Sequence, residues 1–170
     1  MNSIGGQTIP VVIDLTVSAT TYSAGKQVGS LNTIPNVAMA QNRTCSLVNV
    51  LFIDKSGTSA NVNTSYNLWF FNQSVTLPSS NNTALSLNST VSPYVVGRVK
   101  IQSTDLYSPG AAGGVIYASL TVPNCALVMQ SLNPTGNLYC VLEVDTAAAG
   151  SATFTGTTNV QIKLTFGRDF

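Results

Sequence analysis

The chain has 170 residues, 44% hydrophobic and only 8% charged, with no histidine and a formal net charge of +1. That length suits one domain with a sizeable core, and a charged fraction far below the usual ~25% leaves Ser, Thr, Asn, Gln and Gly to coat the surface. The lack of histidine removes Ser-His-Asp and Cys-His triads and the usual zinc centres together, while the scattering of Lys26, Arg43, Lys55, Arg98, Lys100, Lys163 and Arg168 argues against a nucleic-acid partner.

Residues Met1 to Thr8 have neither a basic n-region nor an apolar h-region, which predicts a protein made and kept in a cytoplasm until it leaves with something else. No apolar run approaches the ~20 residues that span a bilayer, so no membrane partner is expected. The glycine-bearing stretch 1–10 reads as an N-terminal arm, with Ile4, Gln7 and Ile9 as contact residues on a neighbour, and the domain proper as 11–170. Val11, Ile13, Leu15 and Val17 then alternate with Asp14 and Thr16, the period of a half-buried strand. A β-branched and aromatic run from Cys45 to Ile53 predicts a second strand, closed by the turn residues Asp54-Lys55-Ser56-Gly57.

Asn67-Leu68-Trp69-Phe70-Phe71 is apolar on both faces, so a strand covered on both sides is expected, either by a long loop of the same chain or by a neighbouring subunit. Trp69 and Phe71 are the candidate residues for the second case. The polar stretch Asn72 to Pro93 carries little alternation and reads as an extended loop, long enough to imply contact with a partner, with Asn81 and Asn82 as its contact residues. Strands follow at Val95 to Ile101 and Val115 to Val122, the second after the turn Ser108-Pro109-Gly110. Beyond Asn133-Pro134-Thr135-Gly136, Leu138, Cys140, Leu142 and Val144 oppose Tyr139, Glu143 and Asp145; beyond Thr155-Gly156, Val160, Ile162, Leu164 and Phe166 complete the pattern. No helical spacing competes. The expected fold is all-β, an antiparallel β-sandwich, jelly-roll-like, in a single domain with a long polar loop.

Chemistry is sparse. Cys45, Cys125 and Cys140 are odd in number and match no metal or redox spacing, and Cys140 sits among core positions, where a thiol is inert. Glu143 and Asp145 share one strand face, as glycosidase acids do, but the ordinary reading is a solvated strand end. Gly110, Gly113 and Gly114 lack the Lys and helix of a phosphate loop and read as a flexible turn. No catalytic residue, cofactor or metal is expected. Tyr22, Tyr66, Tyr94, Tyr107, Tyr117 and Tyr139 offer stacking faces for an alternative role, a receptor- or glycan-binding module of a fibre or head appendage.

The strings Ile13-Asp14-Leu15-Thr16-Val17, Tyr22-Ser23-Ala24-Gly25-Lys26-Gln27-Val28-Gly29, Leu51-Phe52-Ile53-Asp54-Lys55-Ser56-Gly57, Leu68-Trp69-Phe70-Phe71-Asn72 and Leu138-Tyr139-Cys140-Val141-Leu142 together resemble the head decoration, or cement, proteins of tailed bacteriophages. The resemblance implies a β-sandwich or jelly-roll subunit, commonly a homotrimer, seated on the outside of the major capsid protein lattice of a virion assembled in the host cytoplasm. The chain departs from that group in its 72–93 loop, rich in Asn and Ser where acidic residues are more usual. The resemblance implies no catalytic residues.

Overall fold

The computed structural model describes residues 7–109, 114–121, 127–147 and 150–168. Alternation sets the strands. In β1 (Gln7–Leu15), Val11, Ile13 and Leu15 are buried while Val12 and Asp14 face water, and in β11 (Val160–Arg168) Val160, Ile162, Leu164 and Phe166 are buried on one side. The other long strands are β3 (Gln27–Ile34), β4 (Thr44–Asp54), β5 (Tyr66–Phe71), β6 (Val95–Ile101), β7 (Ile116–Thr121) and β9 (Leu138–Val144). Three short pieces, β2 (Thr21–Tyr22), β8 (Leu127–Gln130) and β10 (Ala152–Thr153), complete the set. Helical structure among the described residues is limited to 3-10 turns at Ser59–Asn63, Ser92–Tyr94 and Ser103–Asp105.

The strands form two main antiparallel sheets, ordered β1-β11-β4-β7 and β3-β9-β5-β6, with β8 pairing the start of β4 and β10 pairing β2. Taking the eight long strands in chain order, the first pairs the eighth, the second the seventh, the third the sixth and the fourth the fifth. That nesting is a jelly roll, an order used by viral capsid and lectin domains among others. The expected all-β sandwich is therefore the observed fold.

The inner faces of both sheets share one core, including Leu15, Phe52, Tyr66, Leu68, Phe70, Leu142, Ile162 and Phe166. The rings of Phe52 on β4 and Tyr66 on β5 meet across it, their centroids 4.9 Å apart. Gly97 on β6 marks where the sheets close laterally, because a Cβ there would lie 2.2 Å from Leu127 Cδ1 on β8.

Several expectations need correction. Of the arm expected over 1–10, Gln7 to Pro10 instead pair with Arg168 to Thr165 as the first part of β1; Ile4 and the rest of 1–6 lie outside the described residues. The strand expected at Val115–Val122 runs Ile116–Thr121, and Gly110, Gly113, Val122 and Cys125 are likewise outside the description. β3 was invisible to alternation because its register shifts between Val28 and Asn32, which breaks the period of two.

Candidate assembly surface and a buried polar recess

The two broad faces of the sandwich are finished differently. On the second sheet, the outward side chains of Phe71, Tyr139 and Val141 lie under Val75, Leu77, Leu85, Leu87 and Val91 of the 72–93 loop, with Leu31, Trp69 and Val95 at the margin. The strand that is apolar on both faces is thus covered by its own chain, the first of the two options its sequence leaves open. Phe71 is fully buried there, which takes it out of any contact surface on this fold.

Asn81 and Asn82 are fasteners of that loop. Asn81 Oδ1 accepts hydrogen bonds from the Tyr22 hydroxyl at 2.7 Å and the Gly29 amide at 2.8 Å, and its Nδ2 donates to Ser18 Oγ at 2.9 Å. Asn82 takes the left-handed backbone, φ 61°, and its amide donates to the Gln27 carbonyl. The Pro-Ser-Ser-Asn-Asn string was a turn signal, and read that way it would have pointed to this role.

The first sheet is open on its outer face. Register aligns Val12, Lys163, Leu51 and Ser119 in one row, Asp14, Gln161, Ile53 and Tyr117 in the next, and Pro10, Thr165, Asn49 and Thr121 in a third. Val12 is 54% exposed, and Tyr107, bridged to Tyr117, is 65% exposed. Asp14 and Lys163 are the only ionisable groups in these three rows apart from the tyrosine phenol, and Asp14 Oδ1 already accepts a 2.6 Å hydrogen bond from Gln161 Nε2. Pro10 lies in the edge strand, where its missing N–H interrupts the ladder a foreign strand would need, so association by the face is favoured over association by that edge. Gln7 is exposed at the start of the edge, and Ile9 is half-buried against the core. Of the six tyrosines, Tyr107 and Tyr117 are exposed; Tyr22, Tyr66 and Tyr139 are buried and Tyr94 half-buried.

A polar recess interrupts the covered face. Glu143 and Asp145, expected at a solvated strand end, are 7% and 5% exposed. The reason is topological: β9 lies between β3 and β5, so Gln27 and Asn67 stand beside Glu143 on either side. Asn67 Nδ2 donates to Glu143 Oε2 and to Asp145 Oδ1, each at 3.2 Å, and Trp69 Nε1 donates to the same Glu143 oxygen at 2.8 Å. Lys100 Nζ stands 2.6 Å from Asp145 Oδ2, and Arg98 lies over the Trp69 ring, 5.3 Å from its centroid. The hydrogen-bonded ammonium of Lys100 is the main cause holding the Asp145 carboxyl below the usual carboxylate range. The recess therefore holds two carboxylates against Asn67, Trp69 and Lys100. Sequence reasoning missed Asn67 and Lys100; an amide opening an otherwise apolar run was the available signal.

Cys45 and Cys140 are free and buried, and burial pushes both thiols up to about 12. Cys140 is thus the inert core thiol its spacing predicts. Among the described residues no group of three or more His, Cys, Asp or Glu is placed to hold a metal ion, and no helix is long and apolar enough to cross a membrane.

No family model matches the chain, and neither does any curated protein. A solved structure of Desmodium yellow mottle tymovirus is similar at 12% identity over 96% of this chain and 81% of that one, with a TM-score of 0.29. A superposition that loose carries no argument about function.

Proposed function

We propose that the protein is a structural component of a virus particle, a decoration or cement protein that sits on the outside of a major capsid lattice and stabilises the head. The observation that carries this reading is the contrast between the two faces, one sealed by the chain's own loop and the other without such a cover and almost uncharged. A near-neutral, hydroxyl- and amide-coated face lacks the repulsion that keeps proteins apart and tolerates close packing. The open face is the main contact element in this reading.

Its size sets the mechanism. Four strands about 4.8 Å apart and roughly nine residues long span on the order of 500–600 Å², below the ~800 Å² per partner of a standard interface. One seat is therefore weak, and useful residence needs several copies acting together, as a closed homotrimer at a lattice threefold would provide. A protein that binds only the assembled shell shifts the equilibrium toward it, each copy adding its binding free energy. No catalysis enters this reading; a hydrolase using Glu143 and Asp145 is the rival, and unchanged activity in Glu143→Gln removes it.

Sedimentation of the purified protein, alone and mixed with undecorated capsids, is the direct test. The protein is expected to run as an oligomer and to pellet with capsids, and Val12→Glu combined with Tyr117→Glu is expected to abolish pelleting without unfolding the protein. A wild-type chain that stays monomeric and never pellets defeats the proposal. A second reading is favoured by the adjacent exposed rings of Tyr107 and Tyr117, which suit stacking on a sugar: a receptor- or glycan-binding module. Saturable binding on a glycan array, lost in Tyr107→Ala, selects it.

A further inference from the structure

Asn67 is 3% exposed, and its side-chain oxygen is buried without a hydrogen-bond partner. An orphan of this kind is costly, about 1–3 kcal/mol for a buried acceptor. Rotating the amide gives no relief, because its nitrogen serves Glu143 and Asp145 together, and a flip would set an oxygen against both carboxylates. The recess thus contains an unanswered oxygen acceptor beside two carboxylates, with the Lys100 ammonium on Asp145 and the Arg98 guanidinium over the neighbouring Trp69 ring.

We propose that this recess is a binding site for a divalent cation of the calcium class, and that Lys100 Nζ is the resident charge such an ion displaces. The donors are all hard oxygens: Asp145 Oδ2, which now holds the ammonium at 2.6 Å, Glu143 Oε1, which no described residue hydrogen-bonds, and the orphan Asn67 Oδ1. Register places Lys100 directly beside Asn67 on one side and Glu143 directly beside it on the other, so the residues that carry the donors and the ammonium are neighbours in one patch of the sheet. The groups differ in freedom. The Lys100 side chain is 42% exposed and can swing into water, whereas the carboxylates are held in place by Asn67, Trp69 and the backbone of β9. With so few protein ligands and water filling the remaining positions, affinity falls at the weak end for calcium modules, ~10⁻⁴–10⁻³ M. This inference does not depend on the capsid reading.

Trp69 makes the test direct, because it is the only tryptophan and its indole nitrogen touches Glu143. Terbium(III) titrated into the full chain, excited at the red edge of tryptophan absorption, is expected to give saturable sensitised emission that calcium competes away. Asp145→Asn is expected to lose that emission. Lys100→Met, which removes the competing charge a few ångströms away, is expected to tighten binding by about tenfold or more. Near-ultraviolet circular dichroism confirms that both variants keep the fold. An ordered water on Asn67 Oδ1, with no cation, would leave the wild-type chain without saturable emission at millimolar terbium, and that result overturns the proposal. So does emission that survives Asp145→Asn, or affinity unchanged in Lys100→Met.

Discussion

Replacing Asn81 with alanine tests whether the polar loop is a fastened cover or a surface for partners. The substitution removes three hydrogen bonds and strands two buried groups, the Tyr22 hydroxyl as a donor and the Gly29 amide. Each buried group left unpaired costs about 1–3 kcal/mol. Asn81 itself is half-exposed, so water reaches part of the vacated space and the lower half of the summed range applies. The expected loss is about 2–4 kcal/mol in urea unfolding, with a fall in Tm of roughly 4–16 °C for a domain this size. Because the Tyr22 hydroxyl also accepts from the Ser18 amide at 2.7 Å, Tyr22→Phe is costly by itself. The double variant is therefore expected to be less destabilised than the sum of the singles by about 1 kcal/mol. A single variant within 0.5 kcal/mol of wild type, or a strictly additive pair, refutes the fastening argument.

Other outcomes follow from the same geometry. Asp145 has a folded-state pKa below its unfolded value of about 3.9, so its contribution to stability is present above that pH and is lost as pH falls through the lower folded value; Asp145→Asn should flatten the acid limb of an unfolding-against-pH curve. Cys45 and Cys140, with thiols near 12, should resist a thiol reagent at neutral pH in a Cys125→Ser background and should both react once urea unfolds the chain. Gly136→Ala should cost about 2–4 kcal/mol in chemical denaturation, since Gly136 has φ 71° and its new Cβ would lie 2.6–2.7 Å from the backbone nitrogens of Ala40 and Met39, which cannot move aside. Gly97→Ala meets only the flexible end of Leu127, so its cost should be smaller and should shrink further in combination with Leu127→Ala.

What the sequence determined by itself is local. Strict alternation in Val160 to Phe166 and Leu138 to Val144 assigned strands and chose their inward faces, because side chains two apart on a pleated backbone share one side. The absence of histidine and the shortage of charge are properties of composition and held without any coordinates. Which strand lies beside which was not legible, since pairing β1 with β11 or β4 with β7 joins residues far apart in the chain and leaves no periodic trace. That order alone put Glu143 and Asp145 on a central strand between Gln27 and Asn67, turning a presumed solvated end into a buried charged recess. It also laid Val75 to Val91 over Phe71 and left Val12 and Tyr117 exposed on the other face. Burial is a property of neighbours, and neighbours across a sheet are chosen by the whole fold.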